Sequence, residues 1–215
     1  MSNFITNASD VKTLGTRVKE LCEISREMKF LIGFFYFSGL EHLYEGLEQN
    51  ESIVLRILVG LEVDEVIMKF CGISKIKTDL LIEVEHGSDK SENELVDGFI
   101  DSLKKSLNQD EYDNKQSYEK LLFFLKMIEE NRLIIRKTFE PNHAKLYIFS
   151  LKDARYAKSL FITGSSNLTR AGLENQKEFN VEIKDYGTDE AEAYFEKLWN
   201  SSVKLTEKQE VKKRI

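Results

Sequence analysis

Cysteine and histidine are scarce in this chain: its 215 residues hold 2 Cys and 3 His. Two cysteines, Cys22 and Cys71, cannot build a disulfide framework, and no CxxC pair offers a zinc site. His42 and His86 have no His, Asp or Glu set at ligand spacing beside them, so no metal is expected, and both read as surface or loop residues. No apolar run reaches the ~18 residues of a membrane span, so a soluble protein without a membrane partner is expected. The start, MSNFITNASD, lacks the charged-then-apolar layout of a secretory signal, and a reducing, cytoplasmic setting follows as the expectation. No internal repeat is visible. A mainly disordered chain is excluded by 41% hydrophobic and 11% aromatic residues.

The net charge of −6 argues against a generic nucleic-acid coat, but the charge is unevenly spread. Glu83 to Glu130 carries 13 acidic and 6 basic residues. Arg132 to Lys177 carries 9 basic (Arg132, Arg136, Lys137, Lys145, Lys152, Arg155, Lys158, Arg170, Lys177) and 3 acidic. A basic segment in an acidic protein is a candidate site for an anionic ligand.

Hydrophobic patterning predicts an α/β domain. Ser9 or Asp10 caps a helix with Val11, Leu14, Val18 and Leu21 on one face. Residues 30–37 and 53–59 are apolar on both parities and read as buried strands, with a helix over 40–47 between them: a βαβ unit. Residues 85–93 read as a polar loop. Helices over 95–107 and 118–128 form an acidic pair, a helical segment of about 95–130 inserted in the middle. Strands follow at 133–137, 143–149, 160–163 and 178–183, with a helical turn at 168–173. A closing helix over 191–199 has Ala193, Phe195 and Leu198 as core contacts. The tail from Thr206 is charged and expected to fray.

Three short patterns carry chemistry. On a strand, His143 and Lys145 point one way, while Ala144, Leu146 and Ile148 point the other. Imidazole and ammonium side by side make a poor core and a good phosphate site. Gly164-Ser165-Ser166-Asn167 follows an apolar strand and precedes a helical turn, where backbone N–H groups can form an anion pocket. Glu178 opens a strand, and a carboxylate near an imidazole can fix its tautomer.

HxK, then GSxN, then Glu, on successive strands, resembles the phospholipase D superfamily. The match is His143-Ala144-Lys145, Gly164-Ser165-Ser166-Asn167 and Glu178. It is nearest the family's nucleases, with one motif per chain. The N-terminal Gly33-Phe34-Phe35-Tyr36-Phe37-Ser38-Gly39-Leu40 looks like the first strand and helix of the same fold in modules ahead of bacterial helicases and restriction endonucleases. One departure stands out: the family's Asp five residues after the Lys is Ser150 here.

The resemblance implies a single domain over 1–215, a phospholipase D-like mixed sheet flanked by helices with a helical insertion. It implies a metal-independent endonuclease without cofactors, acting on DNA (or RNA) through a phosphohistidine. With one motif per chain the active site would sit at a homodimer interface. His143, Lys145, Asn167 and Glu178 would be catalytic; Gly164, Ser165, Ser166 and Arg170 would bind substrate. The chain could be the N-terminal module of a larger helicase or restriction enzyme. The alternative is a module that binds phosphate backbones or dimerises without useful turnover.

Overall fold

The computed structural model describes residues 3–8, 13–35, 37–63, 115–153 and 157–207. Its strands are β1 (Phe4–Ile5), β2 (Ser25–Phe35), β3 (Val54–Val63), β4 (Leu133–Lys137), β5 (Leu146–Leu151), β6 (Ser159–Gly164), β7 (Asn180–Lys184) and β8 (Val203–Lys204). Its helices are α1 (Leu14–Ile24), α2 (Phe37–His42), α3 (Tyr44–Glu48), α4 (Lys115–Glu129) and α5 (Thr188–Asn200), with a single helical turn at Ala171–Asn175.

The strands form one mixed sheet in the order β1-β7-β6-β5-β2-β3-β4-β8. β2 is central because it is apolar on both parities and needs cover on both faces. It runs parallel to β3 and antiparallel to β5. The βαβ expectation holds: β2 and β3 are parallel, though the connecting helix is two short pieces. α4 links β3 to β4, which are also parallel, and it buries Phe124, Leu125, Met127 and Ile128. This half of the acidic pair is therefore an integral crossover and not an appended surface. The expected helix 95–107, the loop 85–93, His86, Cys71 and Arg155 lie outside the described residues.

Alternate β2 residues enter different cores. Phe30 and Ile32 join the larger one with Leu14, Val18 and Leu21 of α1. Leu31 joins the smaller one with Leu58, Leu146, Ile148, Phe195 and Trp199. Within α5 the buried face is Phe195 and Trp199, with Leu198 partly covered; Ala193, expected inside, is exposed. Arg56 lies 4.2 Å over the Trp199 ring and grips Glu196 with two bonds of 2.6 and 2.9 Å. Such a pre-organised guanidinium covers apolar surface as well as pairing charge.

Two ends differ from expectation. Thr13 caps α1, its Oγ1 accepting from the Thr16 N–H at 3.0 Å; Ser9 and Asp10 lie outside the described residues. Thr206 is buried and bonds the Ile135 N–H at 2.9 Å, and Glu207 pairs with Arg136. The tail is therefore tied down through Glu207. No described helix is long and apolar enough to cross a membrane.

His42 is also a correction. It is not a surface residue: its side chain is 14% exposed, and its Nδ1 lies 3.3 Å from Glu174. A Cβ on Gly15 would come 2.5 Å from His42 Nε2, so the ring is wedged against α1. Burial lowers its pKa below the ordinary 6.5, against the pull of Glu174. The folded state then binds fewer protons than the unfolded one, and stability is lost as pH falls through 6.5. We expect the melting temperature to drop between about pH 7 and 5, and His42→Gln to flatten that part of the curve. An unchanged slope in the variant would remove His42 from the account. Glu182 acts in a lower window. Burial would raise its pKa, but bonds from Arg17 and Lys184 hold it below 4.5, so its contribution is lost only under stronger acid.

Candidate active site

β2 pairs with β5 only as far as Leu31 opposite Leu146. Beyond that point β2 continues alone on this side until Phe35 bridges to Leu168. The segment His143-Ala144-Lys145 enters through the gap. It precedes the strand, which begins at Leu146 and not at His143. The facing pattern still holds from Ala144 onward. Ala144, Leu146 and Ile148 pack with the α5 core, while Tyr147 and Phe149 pack with the other.

Gly33 marks where the motifs meet. A Cβ there would lie 3.0 Å from His143 Cδ2 and 3.4 Å from Asn167 Oδ1, so the two side chains flank one backbone position. The β2–β3 register also slips between Ile32 and Phe34. The Phe34 ring meets the His143 ring edge-on, centroids 5.9 Å apart. His143 is exposed, and among the described residues its imidazole makes no hydrogen bond. Asn167 Oδ1 accepts the Phe34 N–H at 3.1 Å. That bond fixes which end of the amide is which and leaves Nδ2 as a donor.

Lys145 is buried, and its Nζ donates to the His143 carbonyl at 2.9 Å. Its own carbonyl accepts from Thr163 Oγ1 at 2.8 Å. Burial lowers the pKa of this ammonium, and the Glu178 charge opposes the fall. Glu178 Oε2 accepts from Ser165 Oγ, and Ser165 Oγ accepts the Phe179 N–H at 3.1 Å. The sequence reading pairs Glu178 with His143; the bond the structure shows is with Ser165, leaving Oε1 for another donor.

The GSSN loop is built differently from the expected N–H cradle. Ser165 N–H donates to the Phe179 carbonyl at 3.2 Å, and Thr169 N–H to the Asn167 carbonyl at 2.9 Å. Ser166 N–H donates to Asn180 Oδ1 at 3.3 Å. These three backbone donors are already used, and the side chains placed to hold an anion here are Lys145, Asn167 and His143. Ser166, read as substrate-binding, is fully buried. Its Oγ accepts from Asn180 Nδ2 at 2.9 Å, and its carbonyl from Tyr147 Oη at 2.8 Å. Ser166 is a brace and not a ligand. At Gly164 the β7 backbone passes so near that a Cβ would lie 2.3 Å from the Phe179 oxygen. Arg170 is exposed on the following turn, 3.8 Å from Glu174; no described contact brings it to the other site residues.

Asn180, Tyr147 and Asn142 were missed from the sequence. Each is an ordinary polar or aromatic residue whose partner lies far along the chain, and no local spacing signals that. The basic segment also proves not to be one face. Arg132 bonds Glu130 at 2.7 Å, Arg136 takes Glu207 and the Trp199 carbonyl, and Lys152 takes Asn50 at 2.8 Å. Ser150, standing where the family pattern has Asp, has its Oγ 3.4 Å from Glu192. Glu192 also lies 3.7 Å from Lys29, so α5 brings a carboxylate to that spot. Among the described residues, no group of three His, Cys, Asp or Glu could hold a metal ion.

Residues 91–199 match the family model described as cardiolipin synthase, PLD-like domain. A search of curated proteins returns no match. Among solved structures, the chain is similar to NucT from Helicobacter pylori at 14% identity, covering 88% of this chain and 89% of that one, with a TM-score of 0.43. It is similar to Nuc, a phospholipase D family member from Salmonella typhimurium, at 11% identity over 88% of each chain, TM-score 0.40. It is also similar to phosphatidylserine synthase from Haemophilus influenzae at 15% identity, covering 98% of this chain and 42% of that one, TM-score 0.48.

Proposed function

Because the chain belongs to the phospholipase D superfamily, whose members are phosphodiesterases, we propose that it is a nuclease working through a phosphohistidine. The observation that supports this most is the meeting of His143 and Asn167 over Gly33, with the buried Lys145 ammonium on the His143 carbonyl.

Two copies of the chain would complete the site, face to face about a two-fold axis. One His143 nitrogen attacks phosphorus; the P–N bond forms as the P–O bond to the leaving strand breaks. The partner subunit's His143 gives its proton to the leaving oxygen. That same imidazole then takes a proton from water. The resulting hydroxide attacks phosphorus, and the P–N bond breaks to free the enzyme. Lys145 and Asn167 Nδ2 hold the non-bridging oxygens and offset their growing charge. Glu178 opposes the burial-driven fall in the Lys145 pKa, and its Oε1 would accept the imidazole N–H once the ring turns toward it. DNA is the proposed substrate, with sequence choice left to a fused helicase or recognition domain.

The mechanism needs one imidazole as base and its twin as acid, so the rate should be bell-shaped in pH. The direct test is cleavage of labelled oligonucleotides with excess chelator, alongside light scattering. Cleavage that survives the chelator in a dimeric protein is the expected result. Dependence on added magnesium or zinc, or full activity in a strict monomer, would overturn the mechanism.

A further inference from the structure

Thr138 and Asn142 are fastened to consecutive residues of β3. The Thr138 N–H donates to the Val59 carbonyl and the Asn142 N–H to the Gly60 carbonyl, both at 3.0 Å. Phe139, Glu140 and Pro141 therefore form a three-residue tip that leaves the sheet and returns one residue before His143. All three are exposed. The tip is stiff: Thr138 Oγ1 donates to the Glu140 carbonyl at 2.7 Å, Pro141 fixes its own φ, and Asn142 Oδ1 accepts the Ala144 N–H at 2.9 Å. Gly60 lets the returning chain sit directly on β3, since a Cβ there would be 1.9 Å from the Asn142 oxygen. Asn142 also donates through Nδ2 to Tyr194 Oη of α5 at 3.1 Å.

Two large exposed rings thus belong to this stretch: Phe139 on the tip that ends at Asn142, and Tyr194, whose hydroxyl meets Asn142, the residue before His143. Phe139 is 59% exposed and Tyr194 45%. A rigid, solvent-facing phenyl ring contributes little to the fold that carries it. The surrounding charge says what the ring could meet. Glu140 puts a negative charge on the tip, which disfavours phosphate. Of the basic segment, Arg132, Arg136 and Lys152 are bound within the protein. At the tip itself, contact with a nucleic acid has to come from the ring and not from an ion pair.

Resting on the nuclease reading above, we propose that Phe139 and Tyr194 form a stacking platform for unpaired nucleobases beside the scissile phosphate. A base inside a duplex already has both faces stacked and cannot lie on a side chain. The platform therefore selects single-stranded nucleic acid, or a strand locally opened, over intact duplex. Stacking on an aromatic ring tolerates any base, so the selection is by strandedness and not by sequence.

The test compares wild type, Phe139→Ala and Tyr194→Ala on a single-stranded oligonucleotide, its duplex, and the same strand with abasic sites. Steady-state kinetics are paired with fluorescence anisotropy on a His143→Ala background. The platform predicts that each variant raises KM and Kd on the single strand by about 5- to 100-fold, the range of base–aromatic stacking. The gap between variant and wild type should close on the abasic strand. Variants that bind the single strand like wild type, or lose as much on the abasic strand, would overturn the platform and leave the nuclease reading standing. A wild type that cleaves no phosphodiester, yet binds the single strand through Phe139, would overturn the nuclease reading alone. A dimer that Phe139→Ala turns into monomers would make the tip a subunit contact, and the platform would fall.

Discussion

His143→Ala is expected to abolish phosphodiester cleavage, by on the order of 10⁴-fold or more, the scale on which enzymes lose rate when a covalent nucleophile is removed. Stability should hardly change, because the ring is exposed and bonds to nothing among the described residues. Exposed positions of this kind move stability by about 0.5 kcal/mol or less. A stopped-time assay and a thermal melt read the two halves separately. Residual cleavage above about one part in a hundred would remove His143 from the nucleophile's role, since losses of that kind run to many orders of magnitude. Loss of the folded state would make it structural. Mixing the variant with wild type adds a sharper readout. If each site needs two imidazoles, a mixed dimer is dead, and activity falls with the square of the wild-type fraction. A linear fall would mean that each chain works alone.

Gly164→Ala should be strongly damaging to stability for so small a change. Its new methyl would lie 2.3 Å from the Phe179 oxygen, 2.5 Å from Asn180 Oδ1 and 2.7 Å from Asn180 Cα. Two of these atoms are backbone and cannot swing away. Relief requires β6 and β7 to part where Gly164 pairs with Asn180, which strains the Ser165–Phe179 bond and the Ser166–Asn180 bonds. Overpacking of this sort costs about 3 kcal/mol at the upper end of its usual range. For a chain of this size that is roughly a 6–12 °C fall in melting temperature. Cleavage should fall further than stability, because the same shift moves Ser165, Glu178 and Asn167 together. A variant that melts within a degree of wild type would show that the loop is looser than these distances require.

How much the sequence could reveal depended on the range of each signal. The strand at 133–137 was read to the residue because its signal is local: five residues bounded by turns. The HxK and GSxN patterns were legible because they are short and their chemistry is unusual. The cap at Thr13 was not, since Ser9, Asp10 and Thr13 are all good caps and tertiary contacts choose among them. Ser166 looked like a ligand for the same reason that Ser165 does; only Asn180, fourteen residues on, shows that it faces inward. His42 looked like a loop residue because Gly15 and Glu174, which enclose it, are distant in sequence. The basic segment was counted correctly, but a count carries no direction. Arg136 turned out to stack on Trp199 at 4.3 Å.

β1 pairs with β7, and Asn7 reaches across to the Gly172 carbonyl at 2.9 Å and the Gln176 carbonyl at 3.2 Å. The first described residues thus brace the turn that follows the GSSN loop, more than 160 positions later. This has a consequence for biosynthesis. A chain leaving the ribosome exposes β1 long before β7, its strand partner among the described residues. Contacts of such high sequence separation form late, because the loop between them must be closed first. His143 and Lys145 therefore have no finished loop opposite them until translation has passed Lys184. Partly made chains should therefore lack the finished site.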